Sequence, residues 1–421
     1  MWVGDGVGVF VLFFWAEVVA FEVVVDDEEA AETTSSATTT TSTGETVLAT
    51  TSSGDTIVPE ASGSDFSASN SVYINLTEAK VSLDNEAWTS ITTTSTDFFD
   101  ETVKVKYTQT DSGTSTGVIR VDAADATANL AVYLSGTQTT GGVKIQTSTD
   151  YEIGVYLDSV SITSSNYPCI DITKGGAATV FLTGTNTLTD GRSYGTGYGS
   201  EYASTSKNPV NEGSDSKGTL YCKGGLTIAE TSEGGSLSVT QHYKNCIASK
   251  DGILTIESGT LTLKNYTSSS NTGKNGLFGG QGIVVNGGSI SFDGKGIVSS
   301  SDIRKANGFK TDDDDYTASY VKINGGTVNV TTYNGKGICA PVVAIAGGTN
   351  TFTVTGTTSY SERTSTGTWY DADGVKETGT VKFAPEGIEG DSSVTFSGGT
   401  TIVSAPDDGV NVSTTGGTLT I

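Results

Sequence analysis

One phrase recurs along the chain and limits what it can fold into. Ile253-Leu-Thr-Ile-Glu-Ser-Gly-Thr-Leu-Thr-Leu263, Ile283-Val-Val-Asn-Gly-Gly-Ser-Ile-Ser-Phe292 and Val321-Lys-Ile-Asn-Gly-Gly-Thr-Val-Asn-Val330 share one form, and Val343-Ala-Ile-Ala-Gly-Gly-Thr349 and Val394-Thr-Phe-Ser-Gly-Gly-Thr-Thr-Ile402 repeat it. Each reads as a short alternating strand, a two-residue turn containing glycine, and a second short strand. A second marker alternates with the first, a polar residue, glycine and an apolar residue: Asn307-Gly-Phe309, Lys336-Gly-Ile338, Glu386-Gly-Ile388 and Asp408-Gly-Val410, with Asn245-Cys-Ile247 as a variant. Units of roughly 20 to 30 residues carrying two or three strands are the mark of a solenoid, because each unit can bury its apolar face only by stacking on its neighbours. The expectation is an all-β chain, a β-solenoid of short parallel strands over most of 118–421. Ile247, Phe309, Ile338, Ile388 and Val410 should form one inward ladder. Some marker gaps are near 50 residues, which reads as a rung with a weaker signature.

Composition agrees and excludes several functions. Asp and Glu number 48 against 23 Lys and Arg, a net charge of −25, so no basic stripe is available for nucleic acid or an anionic membrane surface. Large apolar side chains are scarce and runs of Ala, Leu, Glu and Lys are few, which disfavours long helices. A single His leaves little room for histidine-based catalysis. Residues 1–25 resemble a secretory leader, nearly continuous apolar sequence from Val7 to Phe21 broken by Glu17, although the first basic residue is Lys80. Residues 26–65 are acidic and then Ser/Thr-rich, a linker composition that cannot bury a core. The folded domain is expected over 66–421.

Four phrases carry a family resemblance. They are Ala178-Thr-Val-Phe-Leu-Thr-Gly-Thr-Asn-Thr-Leu-Thr-Asp-Gly191, Gly218-Thr-Leu-Tyr-Cys-Lys-Gly-Gly-Leu-Thr-Ile228, Cys246-Ile-Ala-Ser-Lys-Asp-Gly-Ile253 and Glu386-Gly-Ile-Glu-Gly-Asp391. In order and spacing, from roughly Val118 to the C-terminus, the chain resembles a secreted bacterial family of calcium-containing, right-handed parallel β-helices that bind carbohydrate. The resemblance implies that fold, an extracellular or cell-surface location, calcium, and a plant cell-wall polysaccharide, cellulose or acidic pectin, as partner. The family's marker reads Asp-Gly-Ile, whereas several rungs here lead with Asn, Lys or Glu. The chain also stops on an apolar strand, Leu419-Thr-Ile421, without the polar cap a solenoid end requires, so truncation at the C-terminus is expected.

Stacked markers place Glu386 beside Asp408 and Glu389 beside Asn411, with Asp391 and Asp407 flanking. Carboxylates, an amide and backbone carbonyls suit Ca²⁺, which takes six to eight oxygens; solvated turn residues are the plainer alternative. Asp312 and Asp313 open a second acidic run with the same two readings, and Asp371-Ala-Asp-Gly374 resembles part of a calcium loop. Tyr194, Tyr198 and Tyr202, in a polar excursion, offer rings to a sugar face or pack as a lid. Cys222 and Cys246, about one rung apart, form either a disulfide or two buried thiols, and no Cys-x-x-Cys suggests zinc.

Three functions follow. The leading one is a non-catalytic polysaccharide-binding protein assisted by calcium. A lyase on the same scaffold would need a base, for which Lys250, Lys310 and Lys336 are the candidates. A surface spacer would bind no sugar.

Overall fold

The computed structural model describes residues 66–421, apart from 67–68, 110–114, 165–166, 175, 192–217, 232–233, 242, 266–271, 295–305, 312–316, 357–360, 363–368, 371–375, 378–379 and 382–383, and adds the strand Val19–Val24. Asp312, Asp313, Asp371, Asp373, Tyr194, Tyr198 and Tyr202 lie outside the described residues. Among the described residues there is no α-helix; nearly all strands join one large, mostly parallel sheet.

Three columns of strands build that sheet. In the first, Ser115–Ala123, Val143–Thr147, Ile170–Lys174, Gly218–Cys222, Tyr243–Ser249, Thr272–Gly279, Asn307–Thr311, Ile338–Ile345, Ile388–Phe396 and Val410–Val412 pair in succession, all parallel. Their register aligns Ile119, Val143, Ile170, Leu220, Ile247, Leu277, Phe309, Ile338, Ile388 and Val410. A second column aligns Val72, Val132, Val155, Val180, Ile228, Ile256, Val285, Ile323, Ile345 and Phe396. A third aligns Ile162, Leu188, Val239, Leu263, Phe292, Val330, Phe352 and Val403. These three ladders meet in a single apolar core. Strand alternation sends every second side chain inward, so a sequence with few large apolar residues still fills a continuous column. The arrangement is consistent with a β-solenoid.

The inward ladder expected from the markers is present, and all its members are fully buried except Val410, which is half-buried in the last rung. The marker gaps have a different cause from the one expected. Ile338 pairs directly with Ile388, and Ile170 with Leu220, so each gap of about 50 residues is one rung plus an excursion. Part of the first excursion is itself hairpin-like, with Ser361–Glu362 against Thr380–Val381 and Trp369–Tyr370 against Lys376–Glu377. The longer interval from Ile247 to Phe309 hides a true rung, marked by Asn275-Gly-Leu277.

The glycine turns join the second column to the third. Gly288 and Gly326 have φ of 78° and 84°, and a Cβ on either would lie 2.6 or 2.7 Å from the carbonyl oxygen of the glycine one rung below. Both the backbone conformation and the rung-to-rung contact therefore require glycine.

Parallel pairing does not extend over the whole of 66–421. Asn70–Asn75, Lys80–Ser82 and Thr89–Ser90 run antiparallel in turn, as do Thr96–Phe98, Val103–Gln109 and Ser115–Ala123. Short hairpin turns suffice for antiparallel neighbours, and these strands lie at the first end of the stack. At the other end, Val19–Val24 runs antiparallel to Thr400–Ala405, with Val19 opposite Ala405. Leu419 and Ile421 are exposed there. No helix among the described residues is long and apolar enough to cross a membrane.

Candidate functional site

Each marker residue precedes its ladder residue by two and so points to the same, inward side, except that Asp408 in the last rung is exposed. That position holds Asn245, Asn275, Asn307, Lys336 and Glu386, and most are buried. A buried polar side chain must find a partner, and the stack supplies one from the next rung. Asn275 Nδ2 donates to Asn245 Oδ1 at 2.7 Å, Asn307 Nδ2 to Asn275 Oδ1 at 2.9 Å, and the Lys336 backbone N–H to Asn307 Oδ1 at 2.9 Å. The expected stacking of markers is therefore real, but over Asn245, Asn275 and Asn307 it forms an internal amide ladder, neither a calcium site nor a row of solvated turn residues.

At Lys336 the ladder changes from amides to charges. Lys336 Nζ lies 2.8 Å from Glu386 Oε2 and also contacts Glu389 Oε2. Glu386 Oε1 accepts from Asn411 Nδ2 at 2.9 Å, and Glu389 Oε2 accepts from the Cys339 thiol at 3.3 Å. Cys339, Glu389 and Asn411 share one register position on successive strands. Burial pulls the Lys336 ammonium's pKa down, but Cys339, Glu389 and Glu386 together push it up by more. Burial pushes the Glu386 carboxyl above its ordinary range, and Lys336 pulls it back only in part.

The structure thus brings together Glu386, Glu389 and Asn411 from the expected calcium set, around a lysine. Asp391 is turned away, its Oδ1 accepting from Ser413 Oγ at 2.9 Å. Asp408 sits one rung from Glu386, and its backbone carbonyl accepts from Gly387 N–H at 2.9 Å. Its carboxyl is pushed above the aspartate range by desolvation and then by Asp407. Among the described residues no three His, Cys, Asp or Glu side chains converge as a metal group. An ammonium already lies between the two glutamates, so Glu386 and Glu389 do not fit a resident Ca²⁺.

The cysteines are free thiols. Cys222 lies opposite Ser249, while Cys246 falls between the paired positions Asn245–Gly218 and Ile247–Leu220, so register keeps Cys222 and Cys246 apart. Burial pushes the Cys222 thiol up to about 12 and Cys246 well above its ordinary value. Since the thiolate is the reactive form, Cys169, Cys222 and Cys246 should resist iodoacetamide in the native protein; rapid native labelling of any of them would contradict this packing.

A second feature was not anticipated from sequence. Tyr73, Tyr133, Tyr156 and Phe181 occupy one register position on four adjacent parallel strands. Their rings stack with centroids 4.5, 4.4 and 4.5 Å apart and planes within 16°. All four face outward and are half-buried. Phe66 meets Phe181 edge-on at 6.1 Å and lies over Gly154, where a Cβ would come within 3.2 Å of its ring. The signal was legible in retrospect: Val72-Tyr-Ile74, Val132-Tyr-Leu134, Val155-Tyr-Leu157 and Val180-Phe-Leu182 are one tripeptide with an aromatic residue between two inward aliphatics.

A family model described as carbohydrate-binding domain-containing protein matches residues 121–421. A solved structure described as the polysaccharide lyase-like protein from C. thermocellum, a gadolinium derivative, is similar over 83% of this chain and 98% of its own, with 16% identity and a TM-score of 0.45. No curated protein matches the chain significantly.

Proposed function

The chain belongs to the family of carbohydrate-binding domain-containing proteins, and from this we propose that it holds an extended plant cell-wall polysaccharide, cellulose or acidic pectin, outside the cell without cutting it. The scaffold in this reading winds as a right-handed parallel β-helix. The observation that carries the proposal is the extent of the family match, 121–421, which takes in most of the three-column stack. A long regular sheet face suits an extended polymer, since successive strands present equivalent side chains about 4.8 Å apart.

The non-catalytic reading is supported by Lys336, one of the three candidate bases. β-Elimination requires a base whose pKa lies near the working pH. Lys336 is held as an ammonium by two carboxylates.

Calcium enters as a bridge and not through the Glu386–Glu389 pair. With a net charge of −25 the protein repels a polyuronate, and divalent ions shared between uronates and exposed acidic side chains would reverse that sign locally. Pull-down on insoluble cellulose and on gelled pectin, with and without EDTA, and with absorbance of unsaturated uronate followed, tests the whole reading. Retention without absorbance change is expected, and EDTA should release the protein from pectin. Growth of the absorbance would make it a lyase, and failure to bind either polymer would make it a spacer.

A further inference from the structure

We propose that the stacked row Tyr73, Tyr133, Tyr156 and Phe181 is a binding surface for an uncharged polysaccharide lying along the stacking direction. The inference rests on the polysaccharide-binding reading and gives it a site.

The row is outward by register and not part of the inward core. Val72 and Ile74, Val132 and Leu134, Val155 and Leu157, and Val180 and Leu182 are the buried neighbours on each strand. The aromatic residues between them are half-buried, so each ring leaves an edge toward solvent. Stacking fixes each ring against the next, so little side-chain freedom remains to be lost on binding. Three of the four carry a hydroxyl, which gives the row the apolar body and polar tip that suit a sugar. Tyr73 is opposite Ser82 at one end, and Phe181 is opposite Ala229 at the other, so the row has defined limits.

The flanks set the chemistry of the ligand. Along one side Phe66 lies over Gly154 as a wall. Along the other run Asn75, Ser135, Asp158 and Thr183, at one register position on the same four strands. These are hydrogen-bonding groups matched to sugar hydroxyls. The remaining outward positions, Ser71, Ala131 and Thr179, add no charge, and none of the outward side chains on these strands is Lys or Arg. The cation beside the row, Lys80 opposite Asn75 at one end, is paired with Glu78 at 2.8 Å, and a uronate would meet Asp158, so a neutral polymer is favoured over an acidic one. Binding at this row therefore needs no calcium.

The test compares wild type with Tyr156→Thr, which opens the stack, and with the pair Tyr133→Phe and Tyr156→Phe, which keeps the rings and removes two hydroxyls. Affinity electrophoresis in a soluble neutral glucan and depletion on insoluble cellulose, both in EDTA, give the binding; a thermal melt confirms folding. Tyr156→Thr should weaken neutral-glucan binding about tenfold, and the Phe pair should weaken it less, about threefold. Pectin binding in calcium should change in neither. If folded variants bind neutral glucan as wild type does, the row is not the site, and the polysaccharide-binding reading stands. If Tyr156→Thr does not fold, the Phe pair decides, with unchanged binding overturning the proposal. If wild type binds no polysaccharide at all, the broader reading falls and takes this one with it.

Discussion

Replacing Lys336 by methionine is expected to destabilise the protein by about 3–5 kcal/mol at neutral pH, the usual cost of removing one partner from a buried ion pair. Methionine keeps most of the side chain's length and removes the charge. Glu386, only 5% exposed, would then share a corner with Glu389 and no cation. The pH dependence has a definite sign. In the wild type Lys336 has a raised pKa, so its contribution is complete below the ordinary lysine value of 10.5 and fades as the ammonium deprotonates above it. In the variant Lys336 no longer pulls the Glu386 carboxyl back, so burial raises it further than in the wild type. A carboxyl raised in the fold contributes stability below its unfolded pKa, near 4.5, and loses it as pH rises. The variant should therefore recover much of its deficit on acidification toward pH 4. Urea unfolding at pH 7 and at pH 4.5 measures this; an equal deficit at both would refute the assignment of Lys336 as counter-ion. Calcium offers an independent readout. With the ammonium gone, two carboxylates and the Asn411 amide become available to a divalent ion, which should restore about 2.7 kcal/mol at a hundred-fold excess over its dissociation constant. Wild type should show no such rescue through this corner.

Ile338→Asp should have an effect of similar size through the core. Ile338 is fully buried between Phe309 and Ile388 in the first ladder. An unpaired carboxylate there costs several kcal/mol, about 4 or more. In a stack each rung touches mainly its neighbours, so the damage should be polarised. Amides of Ile388–Phe396 and Val410–Val412, which lean on this rung, should lose hydrogen-exchange protection before those of Ile153–Ser164. Uniform loss along the stack, or none, would contradict the nearest-neighbour picture.

What sequence could reveal depended on whether the signal was local. The strand, glycine turn and strand lie within about ten residues, and the ladder from Ile247 to Val410 follows from their repetition. Pairing register spans whole rungs, and excursions of unequal length obscure it. Hence the Asn275-Gly-Leu277 rung was passed over, and intervals such as Ile338 to Ile388 were read as hidden rungs. The markers read as calcium ligands or solvated turn residues because their neighbours in sequence are turn residues. Their true neighbours, Lys336 for Glu386 and Asn245 for Asn275, come from adjacent rungs. The aromatic row escaped notice for the same reason, since Tyr73 and Tyr133 become neighbours only when their strands pair.

From Ile256 onward the glycine corner is an edge of constant length, while the edge between the third and first columns varies. Between the second and third columns the turns superimpose with no room for even a methyl group at Gly288 or Gly326. Residues 192–217, 266–271, 295–305 and 357–383 all fall between a third-column strand and the next first-column strand. Lengthening or exchanging sequence at that corner leaves the register of every ladder intact. The scaffold can therefore acquire new chemistry along one edge without renegotiating its core, in the way a bookbinding holds its spine while pages of different width are added.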